Sequence, residues 1–135
     1  PQIRYPDCYG IDMAKMGDFI AFQAAISLLK STGKQDLIDK VYKLCKSDKS
    51  QNHVKLIYQS LETEDISNRI AKLITPEGMK AKLKIIYQSI NNLHNSCKQN
   101  LGDWYFTGNY PTPGGTKVAS KAFINYMEGK NERAY

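Results

Sequence analysis

Apolar residues recur at helical spacing through most of the chain. Phe19, Ile20, Phe22, Ile26, Leu28 and Leu29, with alanines between them, predict a helix over 17–32 that is buried on more than one face. Gly17 or Asp18 would cap its start, and Gly33 stands where a left-handed residue can end it. A second helix is expected from about Lys34 to Lys46, because Leu37, Ile38, Val41, Leu44 and Cys45 fall on one stripe. Asp36 in its first turn and Lys43 and Lys46 in its last match the helix dipole, and Cys45 reads as a core residue.

The polar run from Ser47 to Asn52 predicts a loop, after which the pattern changes. Val54-Lys55-Leu56-Ile57-Tyr58-Gln59-Ser60-Leu61 is nearly repeated as Leu83-Lys84-Ile85-Ile86-Tyr87-Gln88-Ser89-Ile90. Both copies are β-branched and aromatic enough for buried strands, and a helix pattern follows each. Thr63 would cap the first of these helices, with Ile66, Ile70, Leu73 and Ile74 on one stripe ended by Thr75-Pro76. Ser89 would cap the second, which carries Ile90, Leu93, His94 and Cys97. Strand, helix, strand, helix implies parallel pairing with a right-handed crossover. The expected fold class is therefore α/β and predominantly helical, with about five helices and a small, mostly parallel sheet of two to four short strands.

Two stretches break the helical rhythm. Pro6 to Met13 reads as a short strand running into a turn that presents Asp12 at the mouth of the first helix. Gly102 to Gly115 combines three consecutive aromatics with glycines and prolines, so an extended piece through Trp104 to Thr107 and a tight turn are expected. Thr116 would then cap a last helix bearing Val118, Ala119, Ala122, Phe123, Tyr126 and Met127 and ending at Gly129. The charged tail from Lys130 to Tyr135 is expected to fray.

At 135 residues the chain is sized for one domain, 1–135, with a real core. No run is long enough to span a bilayer, and the opening Pro1-Gln2-Ile3-Arg4 lacks an initiator methionine, so a soluble piece of a longer chain is expected. Cys8, Cys45 and Cys97 share no metal-ligating or disulfide spacing, which points to a reduced, cytoplasmic setting. The formal net charge of +6 invites a polyanion reading, but the lysines are spread over most of the predicted helices, which favours solvated faces over nucleic acid. No nucleophile elbow, zinc motif, dinucleotide fingerprint or paired-aspartate loop is present. His94 and Cys97, three residues apart, supply two metal ligands at most, and a core histidine is the favoured reading. Gly114-Gly115-Thr116-Lys117 lacks the full phosphate-loop spacing and reads as a helix start. Read from residues alone, the alternatives stay open between a basic α/β nucleic-acid-binding module and a protein-interaction module.

Pro1-Gln2-Ile3-Arg4-Tyr5-Pro6 leading into Tyr9-Gly10-Ile11-Asp12-Met13, then Asp18-Phe19-Ile20-Ala21, resembles the segment after the phosphoribosyl-pyrophosphate loop of glutamine phosphoribosylpyrophosphate amidotransferases. Phe106-Thr107-Gly108-Asn109-Tyr110-Pro111-Thr112 is similar to a turn near that family's C-terminus, and Ile85-Ile86-Tyr87-Gln88 resembles the strand before it. The region 34–58 has no counterpart and would be an insertion.

The resemblance implies the C-terminal portion of the phosphoribosyltransferase half of an enzyme that makes 5-phosphoribosylamine from glutamine-derived ammonia and phosphoribosyl pyrophosphate in purine synthesis. The chain has neither the N-terminal cysteine nucleophile nor the paired-acid loop, so alone it would be inactive and carry no catalytic residue. Its partners would be the glutaminase and phosphoribosyl-binding parts of the parent enzyme, which would be a homo-oligomer using magnesium. By the same resemblance, Asp12 would lie at the interdomain contact and Phe19 would line the ammonia channel. Asp7, Gly102 and Tyr105 stand where the iron–sulfur branch has cysteines, so no cluster is expected.

Overall fold

The computed structural model describes residues 15–99 and 108–135, and its core grows from α1 (Ile20–Ser31). Ala21, Phe22, Ala24, Ala25, Ile26 and Leu29 are all buried, so α1 is covered on several sides. The alanines let neighbouring backbones approach closely while Phe22 and Leu29 fill the space between them. Gly33, with φ of 71°, ends the helix in the left-handed conformation that its lack of a Cβ permits.

Around α1 stand α2 (Gln35–Ser47), α3 (Lys55–Gln59) and α4 (Thr63–Ile74), followed by α5 (Ile90–Ser96) and α6 (Pro113–Met127). A 3-10 turn, Met16–Asp18, leads into α1 and buries Met16. Ile66 and Ile70 turn α4 onto α1, and Arg69 of α4 donates to Ser27 Oγ at 2.6 Å and to Ser31 Oγ at 3.2 Å on α1. On the other side α2 packs against α6 through Ile38, Val41 and Cys45. The rings of Phe123 and Tyr126 meet Phe22 edge to face, with centroids 5.9 and 4.8 Å away, an arrangement that aligns ring edges with π faces.

Among the described residues there is no strand, so the expected sheet is not formed and the fold is all-helical. The first expected strand, 54–61, contains α3 instead. Val54, Ile57 and Tyr58 are buried at i, i+3 and i+4 while Leu56 and Gln59 are exposed, which is helical periodicity within a β-branched composition. The second, 83–90, runs without regular structure until α5 begins at Ile90. Ile85 and Tyr87 alternate onto the core and Ile86 is 79 % exposed, but no described strand lies alongside to complete a ladder.

Smaller differences follow local chemistry. Thr63 is the first residue of α4 and Glu62 its cap, while Leu73 and Ile74 lie outside the buried stripe. Cys97 ends α5 in an exposed position. Thr112, not Thr116, caps α6, its Oγ1 accepting from Gly115 N at 3.4 Å, with Pro113 as the first helical residue where its missing N–H costs nothing. The tail is anchored: Lys130 N donates to Asn125 O at 2.8 Å, Asn125 Nδ2 to Glu132 O at 3.4 Å, and Ala134 is buried in the core.

Candidate functional site

Of the two residues assigned a role by resemblance, Asp12 lies outside the described residues. Phe19 is the N-cap of α1, half-buried and packed at the edge of the core. Its N–H donates to Met16 O at 3.1 Å and its carbonyl accepts from Gln23 N at 3.0 Å, while Gln23 Nε2 reaches back to Gly17 O at 2.6 Å. These bonds fix the entrance to α1, so the Phe19 side chain is held in place by backbone geometry rather than by its neighbours alone. Beside this entrance a cavity of about 300 Å³ is lined by Lys15, Asp18, Tyr126 and Glu132, at the carboxyl end of α6.

The second motif meets the other end of α6. Gly108 takes φ of 68°, Tyr110 packs on Gly115, and Thr112 caps the helix. The 15 residues of α6 rise roughly 22 Å. The described parts of the two motifs, 18–21 and 108–112, therefore lie at opposite ends of one helix.

A larger cavity, about 510 Å³, opens where the Gly108 turn meets the loop before α3. Asn52, His53, Lys55, Gln59, Asn109, Tyr110 and Thr116 contribute to its wall. Asn52 is only 9 % exposed and donates through Nδ2 to Gly108 O at 3.1 Å, which fixes its amide orientation; Oδ1 has no partner. A buried acceptor left unpaired costs roughly 1–3 kcal/mol. Lys55 Nζ donates to Asn109 Oδ1 at 2.5 Å, and Thr116 Oγ1 lies 3.0 Å from Lys49 O. His53 Nε2 lies 3.1 Å from Asp48 Oδ2, and the Asp48 carboxyl is held below its ordinary range chiefly by the Ser50 hydroxyl, then by the Ser50 N–H. Composition marked 47–52 only as a polar loop. The signal that places Asn52 and Lys55 at a site is the Gly108-Asn109 turn they bind, which lies 56 and 54 residues away along the chain.

Elsewhere the titratable groups serve packing. Tyr42, Lys46 and Lys130 converge on Glu128, at 2.8 and 2.9 Å to Oε1 and 2.7 Å to Oε2. Lys130 first, then Lys46 and Tyr42, hold the Glu128 carboxyl down at about 2. Burial pushes the Cys45 thiol up to about 11 against a smaller opposing effect of the Ser120 hydroxyl, which keeps it protonated and poorly nucleophilic. No group of three or more His, Cys, Asp or Glu side chains that could hold a metal ion occurs among the described residues. No helix of the described residues is long and apolar enough to cross a membrane.

No family model, no curated protein and no solved structure matches the chain.

Proposed function

We propose that this chain is the C-terminal portion of the phosphoribosyltransferase half of an amidophosphoribosyltransferase, acting as a wall and docking piece rather than as a source of catalytic groups. The reading is carried by the two ordered motifs, Tyr9-Gly10-Ile11-Asp12 with Asp18-Phe19-Ile20-Ala21 near one end and Phe106-Thr107-Gly108-Asn109-Tyr110-Pro111-Thr112 near the other. Two structural facts support it. Gly108 has the positive φ that a glycine-bearing turn requires, and Phe19 sits half-buried at the edge of the core, where an apolar side chain is available to a surface contributed by the rest of an enzyme.

In this role Phe19 lines part of a passage for ammonia. An apolar wall passes the neutral molecule and disfavours ammonium and water, because an unpaired charge is costly to desolvate. Asp12 contributes to the contact with the glutaminase half, and the parent's chemistry resides upstream in the ribose- and magnesium-binding loop. The setting is cytoplasmic.

The test uses the parent enzyme. With glutamine as nitrogen donor, Phe19→Ala should lower 5-phosphoribosylamine formation about tenfold, while activity with free ammonia stays near that of the unaltered enzyme. Equal losses with both donors would remove Phe19 from the passage. A parent sequence with no paired-acid phosphoribosyl-pyrophosphate loop ahead of Pro1 would overturn the whole reading.

A further inference from the structure

The carboxyl end of α4 carries apolar side chains past the core. Ile66 and Ile70 of its stripe are buried, whereas Leu73 and Ile74, one turn further along, are each 46 % exposed. Beyond Thr75 the chain turns back: Met79 N donates to Pro76 O at 3.2 Å, and Gly78 takes the positive φ, 79°, that the third residue of such a turn requires. Residues 76–84 are exposed throughout. Of the seven large apolar side chains exposed among the described residues, Leu73, Ile74, Met79, Leu83 and Ile86 fall in this one stretch, a concentration that marks an interaction surface. Lys72, Lys80, Lys82 and Lys84 are interleaved with them, against the single acid Glu77. The four ammonium groups form no hydrogen bond or ion pair among the described residues. The acids of α4 itself, Glu64 and Asp65, stand in its first turn, at the far end of the helix.

We propose that the surface formed by 72–86 seats on an anionic lipid bilayer, its apolar side chains entering the headgroup boundary while its lysines meet the lipid phosphates and carboxylates. The inference does not depend on the family reading. Charge complementarity selects the occupant. A second copy docked patch to patch would set lysines against lysines, and a nucleic acid offers anions but nothing to cover Ile86 or Met79. No residue of 72–86 lines either cavity described above, so the surface offers no such groove to a partner's helix. A fluid interface instead conforms to a projecting surface. Lysine suits it, because a point charge on a flexible apolar stem can lie along the acyl boundary and still reach the headgroups. Apolar burial and attraction to anionic lipid then act together at one place.

The experiment is co-sedimentation of the 135-residue chain with vesicles at about 0.1 M salt, one set of pure phosphatidylcholine and one that also contains phosphatidylserine. Partition onto the phosphatidylserine vesicles should be stronger by on the order of a hundredfold, since each net charge near the surface contributes about fivefold. Neutralising Lys80→Gln, Lys82→Gln and Lys84→Gln together should remove that preference. The same number of changes beside α2, Lys34→Gln, Lys40→Gln and Lys43→Gln, should alter binding by less than about fivefold, because charges outside the contact are screened. Ile86→Ser should weaken binding about tenfold by withdrawing one apolar side chain from the interface. All these positions are exposed, so the substitutions leave the core untouched. No binding to phosphatidylserine vesicles, equal binding to both sets, or equal losses from the two lysine triples overturns the proposal. So does undiminished binding by Ile86→Ser, which would leave a bare cationic patch open to any polyanion.

Discussion

Single atoms decide how α6 begins. A Cβ built on Gly115 would lie 2.7 Å from both Cβ and Cγ of Tyr110, and these near-backbone atoms cannot swing aside as a long side chain would. At Gly114 the nearest atom is Thr112 Oγ1 at 3.9 Å, so the neighbouring glycine has room. Gly115→Ala should therefore destabilise the chain by about 1–3 kcal/mol through overpacking. By contrast Gly114→Ala should be neutral or stabilising by up to about 1 kcal/mol, since alanine loses less backbone entropy in a helix. Urea midpoints of the two variants check this, and equal midpoints would mean that Tyr110 moves off α6 freely. Both glycines read in the sequence as the end of a tight turn and the start of a helix; their difference lies in the approach of Tyr110, which no local pattern encodes.

At the scale of elements, one carboxylate ties α2 to the end of α6. Glu128 follows the last residue of α6 and accepts from Tyr42 and Lys46 of α2 and from Lys130 beyond the turn. Its folded carboxyl titrates at about 2, below the ordinary 4.5, so folding favours the ionised form. The clamp's contribution is thus complete above pH 4.5 and is lost as the pH falls toward 2. Exposure and screening keep it modest, so its signature is a slope rather than a large change at neutral pH. In Glu128→Gln the decline of melting temperature between pH 4.5 and 2 should be shallower than in the unaltered chain. A variant with the same acid slope would show that the three partners do not hold the carboxylate in solution.

For the whole molecule, what could be read from sequence depended on the length of each apolar period. α1, α2, α4 and α6 repeat their stripes over three turns or more, and their bounds fell within a few residues of those expected. The helix α3 has five residues, too few to separate a helical stripe from a β-branched run, and 83–89 has no regular structure and no described strand beside it. The candidate cavity was illegible for a related reason. Asn52 and Lys55 acquire a role only through contacts to Gly108 and Asn109, far along the chain. The same distance effect governs 34–58, expected from the resemblance to be an insertion, because it supplies Ile38, Val41, Cys45, Val54, Ile57 and Tyr58 to the core. Burying five such aliphatic and aromatic side chains contributes roughly 10 kcal/mol, comparable with the whole net stability of a domain, about 5–15 kcal/mol. Removing 34–58 and joining its ends with a short glycine-serine linker should therefore strip α2 from α6 and both α2 and α3 from α1, and leave the chain without a cooperative thermal transition. Near-ultraviolet circular dichroism is the check, because Phe22, Phe123 and Tyr126 lose their fixed edge-to-face packing when the core opens. A shortened chain that kept this signal and melted cooperatively would show 34–58 to be an addition to a core complete without it.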